Sequence, residues 1–146
     1  MNINFREAIL EDKEFILSAN REINILSGLN DSTLENNIDK DLFKDKVCKS
    51  IIVEIDNIPA GFILYSYIYW ANCGKGIYMS QAYVKSEYRK QGILKMLLQE
   101  LETREKECNF ITNLVGNENE VMMKSLSKLN FKSSDLIICY RKYERK

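Results

Sequence analysis

The residues best suited to chemistry form one short basic turn, Tyr88-Arg89-Lys90-Gln91-Gly92-Ile93-Leu94-Lys95. A strand-like segment, residues 76–84, precedes this turn, and leucines recur at helical spacing after it, at positions 94, 97, 98 and 101. We therefore expect a strand to enter the turn and a helix to start at Gly92. Free N–H groups at a helix start, with Arg and Lys nearby, form a site for phosphate oxygens.

Two familiar phosphate-binding motifs do not fit this sequence. The dinucleotide fingerprint needs three spaced glycines, and the turn holds only Gly92. A P-loop needs an earlier glycine and a final hydroxyl, and the segment Gly74-Lys75-Gly76 lacks both. The turn therefore needs another explanation.

Length and charge restrict the class of protein. The 146 residues predict one domain, residues 1–146, that buries a core of its own. The 21 basic and 21 acidic residues cancel, which disfavours a nucleic-acid partner. We expect no membrane span, because no apolar run approaches the ~18 residues that one needs. The N-terminal residues do not resemble a secretion signal, so we expect a cytoplasmic protein.

Histidine is absent, and this absence excludes several kinds of catalytic site. A Ser-His-Asp or Cys-His site lacks its base. The four cysteines, at positions 48, 73, 108 and 139, are scattered and form no Cys-x-x-Cys pair. We therefore expect no metal site, and free thiols in a reducing compartment.

The remaining pattern predicts a mixed α+β fold. Residues 3–6 alternate as a first strand, and apolar residues from Phe15 to Leu26 predict a helix after Asp12. A second helix is expected from Asp31 or Ser32 to Phe43. Three strands (50–55, 61–70 and 76–84) then precede the helix from Gly92 to Glu107. A strand at 110–115, a helix from Asn117 or Asn119 to Lys128 and a last strand at 136–143 complete the order β-α-α-β-β-β-α-β-α-β, a sheet flanked by helices.

The turn resembles the acetyl-CoA turn of the GNAT acetyltransferase superfamily, Arg/Gln-x-x-Gly-x-Gly/Ala. Arg89 and Gly92 match this pattern, whereas Leu94 stands where a small residue is usual. The lead-in at 83–89 and the later segments 119–122 and 128–132 are also similar to the family. The resemblance covers nearly the whole chain and implies a mostly antiparallel GNAT-type sheet, acetyl-CoA as cosubstrate without a metal, an amine acceptor, and a chain that can form a homodimer.

The resemblance also implies roles for the residues around the turn. The amides from Gln91 through Gly92, Ile93 and Leu94 to Lys95 would hold the CoA pyrophosphate, with charge added by Arg89 and Lys90. Backbone groups of Tyr83 and Val84 would pair with the pantetheine arm as an added strand. Asn119 would meet the far side of the cofactor.

A finer resemblance, to the spermidine/spermine (diamine) acetyltransferase branch, concerns the acceptor. It lies in residues 59–67, Tyr69-Trp70 and 74–78. That branch has two carboxylates where this chain has Tyr78-Met79-Ser80-Gln81, so both charges are missing. Candidate acceptor-binding residues are Trp70, Gln81 and Glu22, and for Glu22 a solvated surface position is the alternative.

Acid and base residues are the least defined part of the prediction. The late-helix position that often holds a tyrosine in this family is Leu126 here. Tyr140 on the last predicted strand is one substitute, with simple packing as the alternative. Tyr78 and Ser80 are candidates for ordering a water.

The sequence therefore predicts an N-acetyltransferase acting on a small-molecule or protein amine. Its rivals are a CoA-binding module without catalysis and an interaction or nucleic-acid domain on the same scaffold.

Overall fold

The computed structural model describes residues 1–27, 33–115, 119–141 and 143. Two compact units make up the chain, Met1–Leu114 and Val115–Lys146. The first unit contains a five-stranded sheet, and the second contains one described helix, α4 (Glu120–Lys128). None of the described helices has the length and apolar character needed to cross a membrane.

The strands of the first unit stand in the sheet in their order along the chain. Their bounds are Ile3–Glu7 (β1), Lys49–Ile55 (β2), Ile58–Trp70 (β3), Gly74–Val84 (β4) and Ile111–Asn113 (β5). The first four strands pair antiparallel, whereas β4 and β5 pair parallel. The predicted fold, a mostly antiparallel sheet with helices on its faces, is confirmed.

The turn between β2 and β3 follows from its sequence. Asp56 and Asn57 adopt φ angles of 51° and 68°. Two central residues with positive φ match the right-handed twist of a hairpin, and Asn and Asp tolerate that backbone. The connection is shorter than the gap between the predicted strands 50–55 and 61–70, because Ile58 already belongs to β3.

Helices cover both faces of the sheet. Helix α1 (Lys13–Ser27) and a second helical segment pack on one face. Helix α3 (Ile93–Arg104) contacts β2, β3 and β4. The buried core on the α1 face consists of Ile16, Leu17, Ala19, Ile38, Leu42, Ile52, Phe62 and Leu64. Helix α3 buries Leu97, Leu98 and Leu101 of the predicted apolar stripe, whereas Leu94 is half-buried and Ile93 is buried instead.

The second helical segment differs from the prediction. It begins as a four-residue helix α2 (Leu34–Asn37) and continues as a wider π-helical segment (Ile38–Lys44). The proposed capping residues Asp31 and Ser32 lie outside the described residues. The wider segment buries Ile38 and Leu42 in the core cluster on the α1 face.

The last predicted strand is wrong for the residues that the structure describes. Residues 136–141 and 143 adopt no strand. Leu136 and Ile137 are 80% and 88% exposed. Strand-forming side chains do not suffice, because a strand also needs a partner for its backbone groups, and the described part of the second unit offers only a helix.

A charged cluster joins β1 to the start of α1. The buried carboxylate of Asp12 accepts hydrogen bonds from Arg6 (2.7 and 2.9 Å) and from the Ile9 amide (2.8 Å). Burial alone would raise the pKa of Asp12, but these donors outweigh burial and lower the pKa below its ordinary value of 3.8. At pH values above 3.8 the ionised carboxylate therefore stabilises the folded state. This contribution is lost as the pH falls through the lower pKa that Asp12 has in the folded state.

We expect Asp12→Asn to lower the free energy of unfolding at neutral pH by about 1–3 kcal/mol, because it weakens hydrogen bonds to a charged group. The difference from wild type should shrink as the pH falls below about 4. Urea unfolding at several pH values measures both effects. The exposed neighbour Glu11→Gln is the control and should stay near wild type; a pH-independent loss in Asp12→Asn would contradict the assignment.

Candidate functional site

The basic turn joins β4 to α3, as predicted. After Val84 the chain forms a 3₁₀ turn (Ser86–Tyr88), and Arg89 is extended. Lys90 and Gly92 then adopt left-handed φ angles of 62° and 81°, and α3 begins at Ile93. The strand, the turn and the helix start at Gly92 are thus all confirmed.

The start of α3 offers unsatisfied N–H groups. The first helical hydrogen bond runs from the Met96 N–H to the Gly92 carbonyl (3.1 Å). The amides of Ile93, Leu94 and Lys95 therefore have no acceptor within the helix, and Gly92 supplies no side-chain cap. A Cβ atom built on Gly92 would meet no atom within 4 Å. The turn can therefore accommodate an anionic group in front of these amides.

A β-bulge lies in the middle of β4. Leu64 of β3 pairs with Gln81, and Tyr65 pairs with Met79, so Ser80 is the extra residue. The Ser80 hydroxyl donates to the Leu64 carbonyl (3.1 Å). A bulge changes which backbone groups of a strand face each neighbour. Ser80, a predicted catalytic candidate, therefore has a structural role in re-aiming the strand.

Beyond the bulge, no described strand of the first unit pairs with the outer edge of β4, and we call this stretch the open edge. The pairs between β4 and β5 run from Ile77 to Met79, and the Asn113 side chain donates to the Met79 carbonyl (2.9 Å), where the ladder ends. On the inner side, the Lys85 amide donates to the Ala60 carbonyl (2.8 Å). Because backbone groups alternate along a strand, those of Tyr83 face β3, and those of Ala82 and Val84 face the open edge. Of the two residues predicted to pair with the pantetheine arm, only Val84 therefore presents its backbone groups to this edge.

Arg89 and Glu22 lie beside this edge. The Arg89 Nε donates to the outward Val84 carbonyl (2.7 Å), and its Nη2 lies 3.3 Å from Glu22 Oε1. The Tyr83 hydroxyl donates to the other oxygen of Glu22 (2.7 Å). Burial and then the Glu22 carboxylate raise the pKa of Tyr83 to about 12, while the Tyr83 hydroxyl and Arg89 lower the pKa of Glu22. Glu22 thus contacts Arg89, a residue predicted to bind the cofactor.

Gln81 also contacts α1. The side-chain amides of Gln81 and Asn20 exchange hydrogen bonds, with Asn20 Nδ2 donating to Gln81 Oε1 (3.0 Å) and Gln81 Nε2 donating to Asn20 Oδ1. Asn20 also donates to the Ile16 carbonyl (2.9 Å). Tyr78, across from Ser66, is half-buried on this same face, and burial raises the pKa of its phenol.

Trp70 lies at the far end of the same face. Its ring stacks on Phe110 with centroids 4.5 Å apart. The Phe110 ring passes directly over Gly76, where a Cβ atom would lie 2.3 Å from the ring. Tyr78, Gln81 and Trp70 therefore line one side of the sheet, on which α1 covers the Gln81 end.

The family model described as Acetyltransferase (GNAT) family matches residues 14–131, which is most of the chain. The chain belongs to the GNAT acetyltransferase family. The predicted cosubstrate, acetyl-CoA, is the one that this family uses. A comparison with curated proteins found no match.

Solved structures with this GNAT fold cover the chain almost completely. A protein described as a possible acetyltransferase from Clostridium difficile 630 aligns with TM-score 0.83 at 19% identity, over 99% of this chain and 100% of that one. An aminoglycoside N-acetyltransferase in complex with CoA aligns with TM-score 0.76 at 20% identity, over 97% and 95% of the two chains. A predicted acetyltransferase with acetyl-CoA from Clostridium acetobutylicum aligns with TM-score 0.73 at 19% identity, over 96% of each chain.

Two predicted site residues of this GNAT chain belong to the second unit. The Asn119 side chain accepts a hydrogen bond from the Met122 amide (3.1 Å) and so caps α4, as predicted. Tyr140 is 83% exposed and lies in the segment that forms no strand. The predicted strand position of Tyr140 is therefore wrong, which removes the geometric reason for choosing it.

Sequence reasoning missed the residue that anchors the far end of α3. Glu105 is buried and accepts hydrogen bonds from the hydroxyls of Tyr65 (3.1 Å) and Tyr67 (2.8 Å). Among the described residues, Glu105, Glu107 and Cys108 have ligand atoms within 4.8 Å of one another. Tyrosine hydroxyls and Lys75, which pairs with Glu107 (3.2 Å), already engage the two carboxylates. We therefore interpret this cluster as an anchor for the helix that begins at the basic turn.

Asn20 was also missed, although the sequence contains a signal for it. Asn20 follows Ile16 by four positions and precedes Ile23 by three, so it lies on the apolar stripe of α1. A polar residue on a buried stripe needs a hydrogen-bond partner. The sequence signals that need without naming Gln81 as the partner.

Proposed function

We propose that this protein transfers the acetyl group of acetyl-CoA to an amine, in a ternary complex of enzyme and both substrates. The observation that carries the proposal is that residues 85–92 join the open edge of β4 directly to the free amides of α3. The amides at Ile93, Leu94 and Lys95 and the charges of Arg89, Lys90 and Lys95 suit a pyrophosphate. Gln91 contributes its backbone to the same turn, and its side chain donates to the Glu87 carbonyl (3.1 Å).

The open edge of β4 suits the pantetheine arm. Val84 and Ala82 present alternate backbone groups outward, and an extended arm with two amides can pair with them as a strand would. Such an arm, anchored at the turn, would extend toward the bulge at Ser80. Tyr78 and Gln81, on the face that we assign to the acceptor, would then be the residues nearest to its thioester end.

Acetyl transfer needs a neutral amine and a proton for the departing thiolate. An amine with a pKa near ~10.4 costs roughly 4–5 kcal/mol to deprotonate at neutral pH, a cost that desolvation in the groove and a water-linked base lower. A tyrosine hydroxyl, with an ordinary pKa of about 10, carries its proton at neutral pH. Tyr78 is half-buried on the face that we assign to the acceptor, so we propose that its hydroxyl donates a proton to the thiolate. Positioning of the two substrates next to each other supplies the remaining rate enhancement.

The acceptor face favours an amine with one cationic centre. Gln81 and Asn20 pair with each other as neutral amides, and Glu22 is engaged by Arg89 and Tyr83. A polyamine of the diamine-acetyltransferase type would find no carboxylate at Gln81. Trp70, exposed at the end of the face and stacked on Phe110, is our candidate for contact with the apolar part of the acceptor.

Two measurements on the wild-type protein test this function. Isothermal titration should detect acetyl-CoA binding, and a thiol-release assay should detect turnover with members of a panel containing monoamines, diamines and lysine peptides. We expect monoamines to exceed diamines. Cofactor binding without thiol release on any acceptor would favour a CoA-binding module that has lost catalysis, and no binding at millimolar acetyl-CoA would refute the function.

The variant Tyr78→Phe provides the matched control for catalysis. It removes one hydroxyl and keeps the ring, so acetyl-CoA affinity should stay within about twofold while turnover falls by about 10²-fold, the usual effect of losing a general acid. Full activity in this variant would show that Tyr78 lines the acceptor face without donating a proton.

A further inference from the structure

The Arg89 side chain makes three contacts in the structure. Its Nε donates to the Val84 carbonyl at 2.7 Å, its Nη2 lies 3.3 Å from Glu22, and its guanidinium lies 5.6 Å from the centre of the Tyr83 ring. These contacts direct the side chain back along β4. A guanidinium held in this way is turned toward the strand edge.

The Val84 carbonyl is the acceptor that an added strand would use first. It faces the open edge, because Lys85 donates to Ala60 on the inner side. Arg89 therefore caps an edge group that the pantetheine arm requires in our proposed function. The same guanidinium is also a proposed partner of the pyrophosphate, so one side chain serves two competing acceptors.

Glu22 keeps Arg89 in this position. The Tyr83 hydroxyl fixes one carboxylate oxygen of Glu22 at 2.7 Å, which leaves the other oxygen facing Arg89. Glu22 lies in α1, 67 residues from Arg89 in sequence. Helix α1 thus reaches the cofactor turn through a carboxylate fixed by a tyrosine.

Resting on the proposed function, we propose that Glu22 and Tyr83 are positioning residues that hold Arg89 across the edge of β4 until the cofactor arrives. Binding then moves the guanidinium from Glu22 and Val84 to a cofactor phosphate, and the freed carbonyl accepts a hydrogen bond from the pantetheine arm. The Arg89–Glu22 contact is replaced by one between Arg89 and a phosphate, and the Arg89–Val84 contact by one between the pantetheine arm and the Val84 carbonyl. Glu22 therefore weakens cofactor affinity and makes the open edge available only to a ligand that carries phosphate.

A double-mutant cycle with acetyl-CoA, measured by isothermal titration, tests this exchange. Glu22→Gln should tighten binding by about 3–5-fold, the size of an exposed ion pair, since both side chains are nearly half exposed. In an Arg89→Ala background the same change should alter affinity by less than about twofold, because the partner of Glu22 is gone. Tyr83→Phe, which releases one oxygen of Glu22 and keeps the ring, should tighten binding in the same direction as Glu22→Gln.

Glu87→Gln is the matched control for charge. Glu87 is an exposed carboxylate beside the turn whose side chain contacts Ser86 (3.4 Å), and its removal should change affinity by less than about twofold. Equal tightening by Glu22→Gln and Glu87→Gln, or an additive cycle, would overturn the exchange while leaving acetyl-CoA binding intact. A wild-type protein that binds no acetyl-CoA would overturn both this inference and the proposed function.

Discussion

Replacing Gly92 with glutamate is expected to abolish acetyl-CoA binding, with a loss of affinity of at least about 100-fold. The open space in front of Gly92, where a built Cβ meets no atom within 4 Å, is the space that we assign to the pyrophosphate. A glutamate places its carboxylate there, close to the phosphates, and like charges at such a distance cost several kcal/mol. Isothermal titration with acetyl-CoA measures the loss.

Gly92→Ala separates the charge from the backbone. Gly92 has φ of 81°, so any other residue there is strained by about 1–2 kcal/mol. The alanine variant should therefore lose stability by about that amount, while its acetyl-CoA affinity falls only a few-fold. An equal loss of affinity in both variants would mean that Gly92 acts through its conformation alone, and unchanged affinity in Gly92→Glu would refute the phosphate assignment.

Gly61→Ala is expected to damage both stability and cofactor binding. A Cβ on Gly61 would lie 2.5 Å from the Tyr83 carbonyl oxygen and 3.3 Å from Val53 Cγ1. Because the obstacle is backbone in the middle of the sheet, β3 and β4 must separate at this point. We expect a loss of unfolding free energy near the upper end of the about 1–3 kcal/mol that overpacking costs. The displaced segment includes Val84, which belongs to the proposed edge for the pantetheine arm, so acetyl-CoA affinity should fall by about tenfold.

Gly76→Ala is the matched control for this prediction. The chemical change is the same, and the sheet is the same, but the new Cβ meets the side chain of Phe110 rather than backbone. The ring can move aside, which disturbs its stacking on Trp70 and leaves the β4 edge beyond Ser80 in place. We expect lower stability with unchanged acetyl-CoA affinity. Thermal unfolding and titration of both variants test the contrast, and equal affinity losses would contradict it.

Local sequence was sufficient to predict the basic turn. A strand of alternating residues, a glycine that accepts left-handed φ, and leucines at helical spacing all lie within about 25 residues of one another. Each signal reports short-range physics: the backbone freedom of Gly92, the pairing of β4 and the burial of one face of α3. Asn119 as the cap of α4 follows from the same kind of local preference.

Contacts across long sequence separations could not be predicted in this way. Gln81 and Glu22 were chosen as acceptor ligands because of their types and positions, yet Gln81 pairs with Asn20, and Glu22 pairs with Tyr83 and Arg89. Each of these partners lies more than 60 residues away. The choice of partner depends on which residue of α1 meets which residue of β4, and this depends on packing of the whole sheet.

The last predicted strand shows that side-chain preference alone does not produce a strand. The residues from Leu136 to Tyr140 have strand-forming side chains, but propensity describes a preference for a pleated, half-buried surface and does not provide one. The described residues of this segment remain exposed. Tyr140 as a proton donor depended on that strand, whereas Tyr78 is half-buried by its neighbours in the sheet.

The amino-acid sequence was enough to predict the turn from Arg89 to Lys95, the order of its flanking elements and the resemblance to a family that uses acetyl-CoA. Those features depend on residues that are neighbours along the chain. The folded structure was needed to show that no described strand of the first unit pairs with the β4 edge beyond Ser80, that Arg89 caps the Val84 carbonyl and that Glu22 contacts Arg89. The physical reason is that a bulge, a strand edge and a buried amide pair exist only between segments, so their geometry is determined when distant parts of the chain pack together.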